Sequence, residues 1–212
     1  MGRLGAGFEI ANARARMLQT LRFAVVNGSA AYRTVTADEF LEMDFGPDRR
    51  AELDDGVIRM MAGGTVAHAR VQANLLAFLR ARLRGTNCRP YGSDLALRVS
   101  ANTVRYPDVA IYCEEPATTE NDDKRALSRP RVIFEVLSGS TAHVDQGVKL
   151  AQYQDLPSVE VVVFVDPDAE LVRVITRLGP QSFRDDRFGS VRDVELPGLG
   201  LQIPHEEIFA RD

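Results

Sequence analysis

Two acidic residues of this chain lie in apolar segments, where a carboxylate needs a partner. Glu135 is the acid within the run RVIFEVL, and Asp108 follows a proline in YPDVAIY. Burying an ionised carboxylate is unfavourable unless a cation or hydrogen-bond donors pair with it. If the two segments form neighbouring strands, the two carboxylates converge at one position of the sheet. Lys149 follows on the next predicted helix, close enough in sequence to reach the same position.

Two converging carboxylates and a lysine suit phosphodiester chemistry. Close carboxylates repel each other when ionised, and a divalent cation held by hard oxygen ligands, such as Mg²⁺ or Mn²⁺, relieves the repulsion. A nearby lysine can orient or activate water, or stabilise charge on a phosphate. The residues therefore predict a metal-dependent hydrolytic site at Asp108, Glu135 and Lys149.

Structural interpretations of the same residues stay open at this point. Asp108 could cap a turn after its proline. Glu135 could pair with an arginine, either Arg98 or Arg105. Lys149 on its own is typical of a solvated helix surface.

The elements that must position these residues can be read in chain order. Thr36 and Glu39 have the spacing of a capping box and predict a short helix. Asp55-Gly56 between two short apolar segments predicts a hairpin. TVAHARVQANLLAFLRARLRG predicts a long amphipathic helix ending near Gly85, and TAHVDQGVKLAQYQDL predicts a second helix.

The remaining periodic segments predict strands. DLALRVS alternates, DVAIYC and RVIFEVLS are apolar, and VEVVVFV and AELVRVITR flank a turn at Asp166-Pro167-Asp168. Residues 114–129 are polar and predict an exposed loop, whereas the tail predicts short strands and a last helical turn at 204–209. The order predicts an α/β (α+β) fold with a mixed central sheet. Residues 32–212 are predicted to form one domain after an extension of residues 1–31, with a short helix around 11–23.

Four blocks in order carry a resemblance to a known family. AELDDGVIRMMAGGTVAHARVQANLLAFL, YPDVAIY, VIFEVLSGSTAHVDQGVKLAQYQDL and VEVVVFVDPDAELVRVI resemble the Uma-type family of restriction endonuclease-like proteins over residues 36–209. That family is similar to the PD-(D/E)XK nucleases. The resemblance implies a restriction endonuclease-like mixed sheet flanked by helices, preceded by the 51–61 hairpin. It also implies an endonuclease that uses Mg²⁺, with Mn²⁺ as a substitute, acting on nucleic acid, DNA by expectation, as a homodimer.

The resemblance also implies roles for individual residues. Pro107-Asp108 matches the PD element and its metal-binding aspartate, and Glu135 matches the acid of the second element. The lysine of that element is missing, because Leu137 stands in its place, and Lys149 is expected to supply the amine. Further expected contributors are Glu52 as an early acid in the metal shell, the backbone carbonyl of Val136, and His68 and Tyr153 as accessory residues.

Composition bounds the alternatives. The chain has 212 residues and a formal net charge of −4, which weakens the case for a general polyanion binder, although a basic face can exist on an acidic protein. Arginines at 80, 82, 84 and 89 could contact phosphates, but a solvated face is the default. The two cysteines, Cys88 and Cys113, lack metal-binding spacing, and reduced thiols in the cytoplasm are expected. No G-x-S-x-G elbow or dinucleotide fingerprint is present.

Two other functions remain compatible with the sequence. One is a binding or regulatory module that keeps the nuclease fold but has little activity, which the missing Glu-x-Lys lysine favours. The other is a structural homodimer whose acids form pairs between subunits. Metal binding separates the first from an active nuclease, and dissociation or unfolding after a change at Glu135 would favour the second.

Overall fold

A computed structural model of the chain describes residues 25–26, 29–30, 34–47, 49–114, 121–138 and 145–211. Most of the predicted extension at 1–31, and its predicted helix at 11–23, lies outside the described residues. The division into an extension and one domain therefore stays a prediction. The described helices are α1 (Ala37–Leu41), α2 (Val66–Arg82), a π-helix (Asp145–Lys149) that leads into α3 (Leu150–Gln154), a 3₁₀ turn (Pro197–Leu199) and α4 (His205–Phe209).

The described residues form fifteen strands. They are β1 (Val25–Val26), β2 (Ser29–Ala30), β3 (Ala51–Asp54), β4 (Val57–Met60), β5 (Arg89–Gly92), β6 (Ala96–Arg98), β7 (Val104–Arg105), β8 (Val109–Tyr112), β9 (Ala126–Leu127), β10 (Pro130–Val136), β11 (Val161–Asp166), β12 (Leu171–Gly179), β13 (Ser182–Phe188), β14 (Val194–Leu196) and β15 (Leu201–Ile203).

Two larger sheets organise these strands. The first has the order β13-β12-β11-β10-β8-β5, and the second has the order β4-β3-β7-β6-β9. Each is mixed, because β10 pairs with β11 in parallel and β6 pairs with β9 in parallel, while their other pairings are antiparallel. The predicted mixed α/β fold is confirmed, and the predicted hairpin is the edge of the second sheet.

Local sequence signals explain the elements nearest the site. Thr36 and Glu39 form the predicted capping box. Asp55 and Gly56 turn the β3–β4 hairpin with φ of 48° and 80°, values that a two-residue I′ turn requires. The side chain of Thr65 accepts a hydrogen bond from the His68 amide and caps α2.

The two faces of the first sheet pack against different partners. On one face, helix α2 buries Val71, Leu75 and Leu79 against a core that includes Phe134. On the other face, Tyr153 of α3 packs with a core that contains the strand residues Ile133, Val162 and Phe164. Side chains alternate along a strand, so Glu135 points to the same face as Ile133, toward α3.

Two expectations about covalent and loop structure are wrong. Cys88 and Cys113 form a disulfide, not two reduced thiols. The register pairs Arg89 of β5 with Tyr112 of β8, which brings the next residues, the two cysteines, opposite each other with Cα atoms 4.0 Å apart. The amino-acid composition carries no information about this strand pairing. The predicted loop at 114–129 also contains a strand, β9, which pairs with β6.

No described helix is both long enough and apolar enough to cross a membrane.

Candidate active site

The strand register brings the two acids of the apolar segments together. Phe134 of β10 pairs with Val109 of the antiparallel β8, so the next position places Glu135 beside Asp108. Both residues are buried, with 3% of Glu135 and 9% of Asp108 exposed to solvent. The two acids therefore lie at neighbouring positions where β8 begins and β10 ends, as the sequence predicts.

Glu135 is held by two residues of the segment that follows β10. Lys149 places its Nζ 3.4 Å from Glu135 Oε1, and the Tyr153 hydroxyl donates a hydrogen bond of 2.5 Å to the same oxygen. Lys149 ends the π-helix and Tyr153 lies four residues later in α3, a spacing that puts both side chains on one helix face. Neither arginine considered as a partner takes this role, because Arg98 pairs with Asp38 and Arg105 pairs with Glu52 and Asp54.

Glu52 reaches the same place from the second sheet. Its Oε1 lies 3.3 Å from Lys149 Nζ, so one ammonium bridges the carboxylates of Glu52 and Glu135. The same Oε1 accepts a hydrogen bond of 3.2 Å from the amide of Tyr106. The ammonium of Lys149 thus joins the two sheets through their acids.

Arg105 forms a second layer behind Glu52. The pairing of Leu53 with Val104 places Glu52 beside Arg105, and Asp54 points to the same face of β3 as Glu52. The guanidinium, 1% exposed, donates from Nη1 to Glu52 Oε2 at 3.0 Å and from Nη2 to Asp54 Oδ1 at 2.5 Å. Its Nε donates to Gln152 Oε1 at 2.9 Å. We call Glu52, Asp54, Arg105, Glu135 and Lys149 the charged cluster; its charges alternate along the chain of contacts.

Asp108 is held differently from Glu135. Its Oδ2 accepts a hydrogen bond of 2.7 Å from the backbone amide of Val136, and its Oδ1 lies 3.3 Å from Nε2 of His68. His68 belongs to the first turn of α2, and the amide side chain of Gln72, one turn later, donates to the Asp108 carbonyl at 2.9 Å. The start of α2 therefore positions Asp108, whereas the π-helix and α3 position Glu135.

The environment fixes the protonation of two of these groups. Burial raises the pKa of the Tyr153 phenol well above its ordinary value of 10, and the charges of Glu135 and Glu52 raise it further. The phenol therefore stays protonated and donates to Glu135. Burial on its own raises the pKa of Asp54, but the hydrogen bond from Gln152 and the charges of Arg105 and Arg59 outweigh it and hold that pKa below 3.8.

The site residues suit a divalent cation by donor chemistry. Asp108 and Glu135 offer carboxylate oxygens on adjacent strands, and hard oxygen ligands are those that Mg²⁺ prefers. The ammonium of Lys149 lies between the carboxylates of Glu52 and Glu135, so this place already holds one positive charge of the protein. Among the described residues, no group of three or more histidine, cysteine, aspartate or glutamate side chains is arranged so that it could hold a metal ion by itself. On donor chemistry, Asp108, Glu135 and the Val136 carbonyl would hold an ion that binds here, with Glu52 beside them through Lys149.

The predicted residues thus fall into two groups. Glu52, Glu135, Lys149 and Tyr153 meet in direct contacts, and Asp108 with His68 lies beside them. Sequence reasoning missed Arg105 as the partner of Glu52, and it missed Gln152. A signal existed for Gln152, which lies three residues after Lys149 on the same predicted helix.

The arginines singled out at the end of α2 lie away from this place. Arg80, Arg82 and Arg84 are exposed, and Arg89 donates to the carbonyls of Thr86 and Cys88. Arg80 follows His68 by twelve residues, which on a helix is about 18 Å. The exposure of Arg80, Arg82 and Arg84 agrees with the expectation that these arginines lie on a solvated surface.

Comparisons with known proteins identify a family and relatives of this chain. The family model Uma2, described as "Putative restriction endonuclease", matches residues 37–204. Two uncharacterized proteins of Synechocystis sp. (strain ATCC 27184 / PCC 6803 / Kazusa) are each 28% identical to this chain. The match to sll1609 covers 73% of this chain and 87% of the relative, and the match to slr1290 covers 85% and 94%.

A solved structure has the same fold. It is the crystal structure of "a putative nuclease belonging to DUF820" from Anabaena variabilis ATCC 29413, similar with a TM-score of 0.69 and 18% identity. The likeness covers 83% of this chain and 98% of that chain. The restriction endonuclease-like fold expected from the sequence blocks is confirmed.

Proposed function

Because the chain belongs to the Uma2 family, we propose that it is a metal-dependent endonuclease that hydrolyses phosphodiester bonds of DNA with Asp108 and Glu135. The observation that carries the proposal is the convergence of these two buried acids on adjacent strands, with a buried lysine at 3.4 Å from one of them. The family description and the fold of the structural neighbour support a nuclease in general.

Each side chain has a distinct task in this proposal. A bound Mg²⁺, with Mn²⁺ as a substitute, would polarise a phosphate oxygen and lower the pKa of a bound water. Asp108, Glu135 and the Val136 carbonyl would hold the ion. Lys149 supplies a positive charge for the attacking hydroxide or the developing charge on phosphorus. Glu52 and Tyr153 fix the position of Lys149 and Glu135, and His68 orients Asp108. The homodimer and the cytoplasmic location stay predictions.

The proposal is tested by removing one charge with little change of shape. We expect Asp108→Asn to abolish Mg²⁺-dependent cleavage of plasmid and linear DNA. The control is Asp123→Asn, at an exposed residue before the edge strand β9, which should cleave like the wild type. Circular dichroism checks that both variants are folded. Cleavage by Asp108→Asn at the wild-type rate would refute the assignment.

An inactive binding module is the second candidate. The observation in its favour is that Lys149 bridges Glu52 and Glu135, so a protein cation lies where an ion would compete, while Leu137 replaces the second-element lysine. Titration calorimetry of Mn²⁺ into the wild type, Glu135→Gln and Asp123→Asn separates the two. A nuclease site binds Mn²⁺ in the wild type and the control but not in Glu135→Gln. A dead site shows no binding in any of the three.

A further inference from the structure

A row of paired residues crosses the first sheet from the acids to two arginines. Glu135 of β10 pairs with Phe164 of β11, Phe164 pairs with Arg173 of β12, and Arg173 pairs with Arg187 of β13. Directly paired residues project from the same face of a sheet. Both arginines therefore lie on the face that carries Glu135.

The spacing of the strands gives the length of this row. Neighbouring strands lie about 4.8 Å apart, which puts the backbone of Arg173 roughly 10 Å, and that of Arg187 roughly 14 Å, from the backbone of Glu135. One strand of a duplex advances about 3.4 Å per nucleotide along the axis. The row thus spans about four nucleotides counted from the proposed site of cleavage.

One glutamine ties both arginines to the element that carries Lys149. Gln146 Oε1 accepts a hydrogen bond of 3.2 Å from Arg173 Nη1 and one of 3.4 Å from Arg187 Nη2. Gln146 lies in the π-helix that ends at Lys149. The guanidinium of Arg173 also lies over the ring of Phe164, 5.9 Å from its centroid, which fixes it along the row.

The two faces of the β12–β13 hairpin differ in charge. The face with Glu135 carries Arg173, Arg177 and Arg187 against a single acid, Asp185. Four of the five N–H donors of Arg177 are used by backbone carbonyls, so this arginine contributes mainly charge to the face.

The opposite face of the hairpin is balanced. Within β12 and β13 it carries Arg184 and Asp186, whose side chains pair at 2.9 Å. The formal charge of −4 on the whole chain therefore does not describe the face beside the site, because electrostatic potential is local.

We propose that Arg173 and Arg187 form a phosphate-binding surface that holds the DNA backbone three to four nucleotides from the bond to be cut. This inference rests on the proposed function and extends it to the place where the substrate lies. Arg187 is the more available of the two. Its side chain is exposed, and among the described residues it has one hydrogen bond, of 3.4 Å, and no ion pair within 4.0 Å. Arg173 instead donates to both carboxylate oxygens of Asp185, from Nε to Oδ1 and from Nη2 to Oδ2.

The hairpin offers its own matched control. Arg187→Gln and Arg184→Gln each remove one exposed arginine from β13, three residues apart, but from opposite faces. Binding of a fluorescently labelled 20-base-pair DNA duplex is measured by anisotropy in EDTA, which prevents cleavage, over a series of salt concentrations. Circular dichroism checks that both variants keep the wild-type fold.

The expected result separates the two faces. Arg187→Gln should weaken binding roughly three- to tenfold and lower the slope of log affinity against log salt by about 0.9, the value for one lost phosphate contact. Arg184→Gln should match the wild type in both. Equal behaviour of the two variants, with a wild type that binds and cleaves DNA, would overturn this surface alone. A wild type that binds no DNA would overturn the surface and the proposed function together.

Discussion

Charged side chains occupy two contrasting places in this molecule. The charged cluster lies between the two sheets, where Arg105 is 1% exposed and each contact joins opposite charges. On the outer hairpin β12–β13, pairs such as Arg173–Asp185 and Arg184–Asp186 lie in or near solvent. Breaking a buried pair leaves an uncompensated charge, whereas an exposed pair is screened by water. The same chemistry should therefore matter for folding in the cluster and for ligand binding on the hairpin.

The largest effect is expected at Arg105. Arg105→Met removes the cation that buried Glu52 and half-buried Asp54 share, and we expect it to lower the free energy of unfolding by about 3–5 kcal/mol. Urea denaturation measures this change. Arg105→Lys keeps the charge but loses the planar guanidinium that contacts both acids, so we expect an intermediate decrease in the free energy of unfolding. This variant provides the measurement if Arg105→Met does not fold.

Arg59 is the matched control for Arg105. Its Nε lies 2.7 Å from the other oxygen of Asp54, but 61% of its side chain is exposed. Arg59→Gln should cost no more than about 1 kcal/mol. Equal losses for Arg105→Met and Arg59→Gln would mean that burial does not distinguish the two places.

A smaller effect is expected at Tyr153. Tyr153→Phe removes the hydroxyl that donates to Glu135 at 2.5 Å, and hydrogen bonds to charged groups contribute about 1.5–3 kcal/mol. Thermal unfolding measures the loss of stability, with Tyr91→Phe as the control. The hydroxyl of Tyr91 makes no hydrogen bond to the other described residues, so Tyr91→Phe should change the stability by no more than about 0.5 kcal/mol. A Tyr153→Phe variant as stable as the control would show that the hydrogen bond from Tyr153 to Glu135 does not contribute to stability.

The pH dependence of stability should reflect Asp54. Its pKa in the folded protein lies below the ordinary value of 3.8, so the ionised carboxylate stabilises the fold above that value. This stabilisation is present at neutral pH and is lost as the pH falls from about 3.8 through the lower folded pKa. Asp54→Asn should flatten the loss of stability between about pH 4.5 and pH 2, as followed by urea unfolding. An unchanged slope would assign the acid sensitivity to other carboxylates.

The sequence predicts what depends on local pattern. The hairpin at Asp55-Gly56, the capping box at Thr36 and the long helix after Thr65 all form, because turn chemistry, caps and helical periodicity act over a few residues. The convergence of Asp108 and Glu135 could also be predicted, since each acid stands out within an apolar segment.

The contacts that hold the acids depend on pairings that no local pattern reveals. Arg105 lies on a strand of two residues, too short for a period, and it meets Glu52 only because β3 pairs with β7. The disulfide of Cys88 depends on β5, whose sequence RPYG contains a proline and does not read as a strand. The row that ends at Arg187 needs the registers of four strands at once.

The smallest effect is expected for the pair Arg173–Asp185. The strength of this pair decides whether Arg173 can contact a DNA phosphate. A double-mutant cycle with Arg173→Gln and Asp185→Asn should give a coupling of about 0.2–1 kcal/mol that falls with salt, since about half of the Asp185 side chain is exposed. A phosphate presents the same anionic, bidentate target as this carboxylate. A weakly coupled arginine can therefore exchange Asp185 for a phosphate at small cost. A salt-independent coupling above about 2 kcal/mol would instead make the pair part of the folded scaffold, as in the charged cluster, and would leave Arg187 alone to contact the backbone of the DNA.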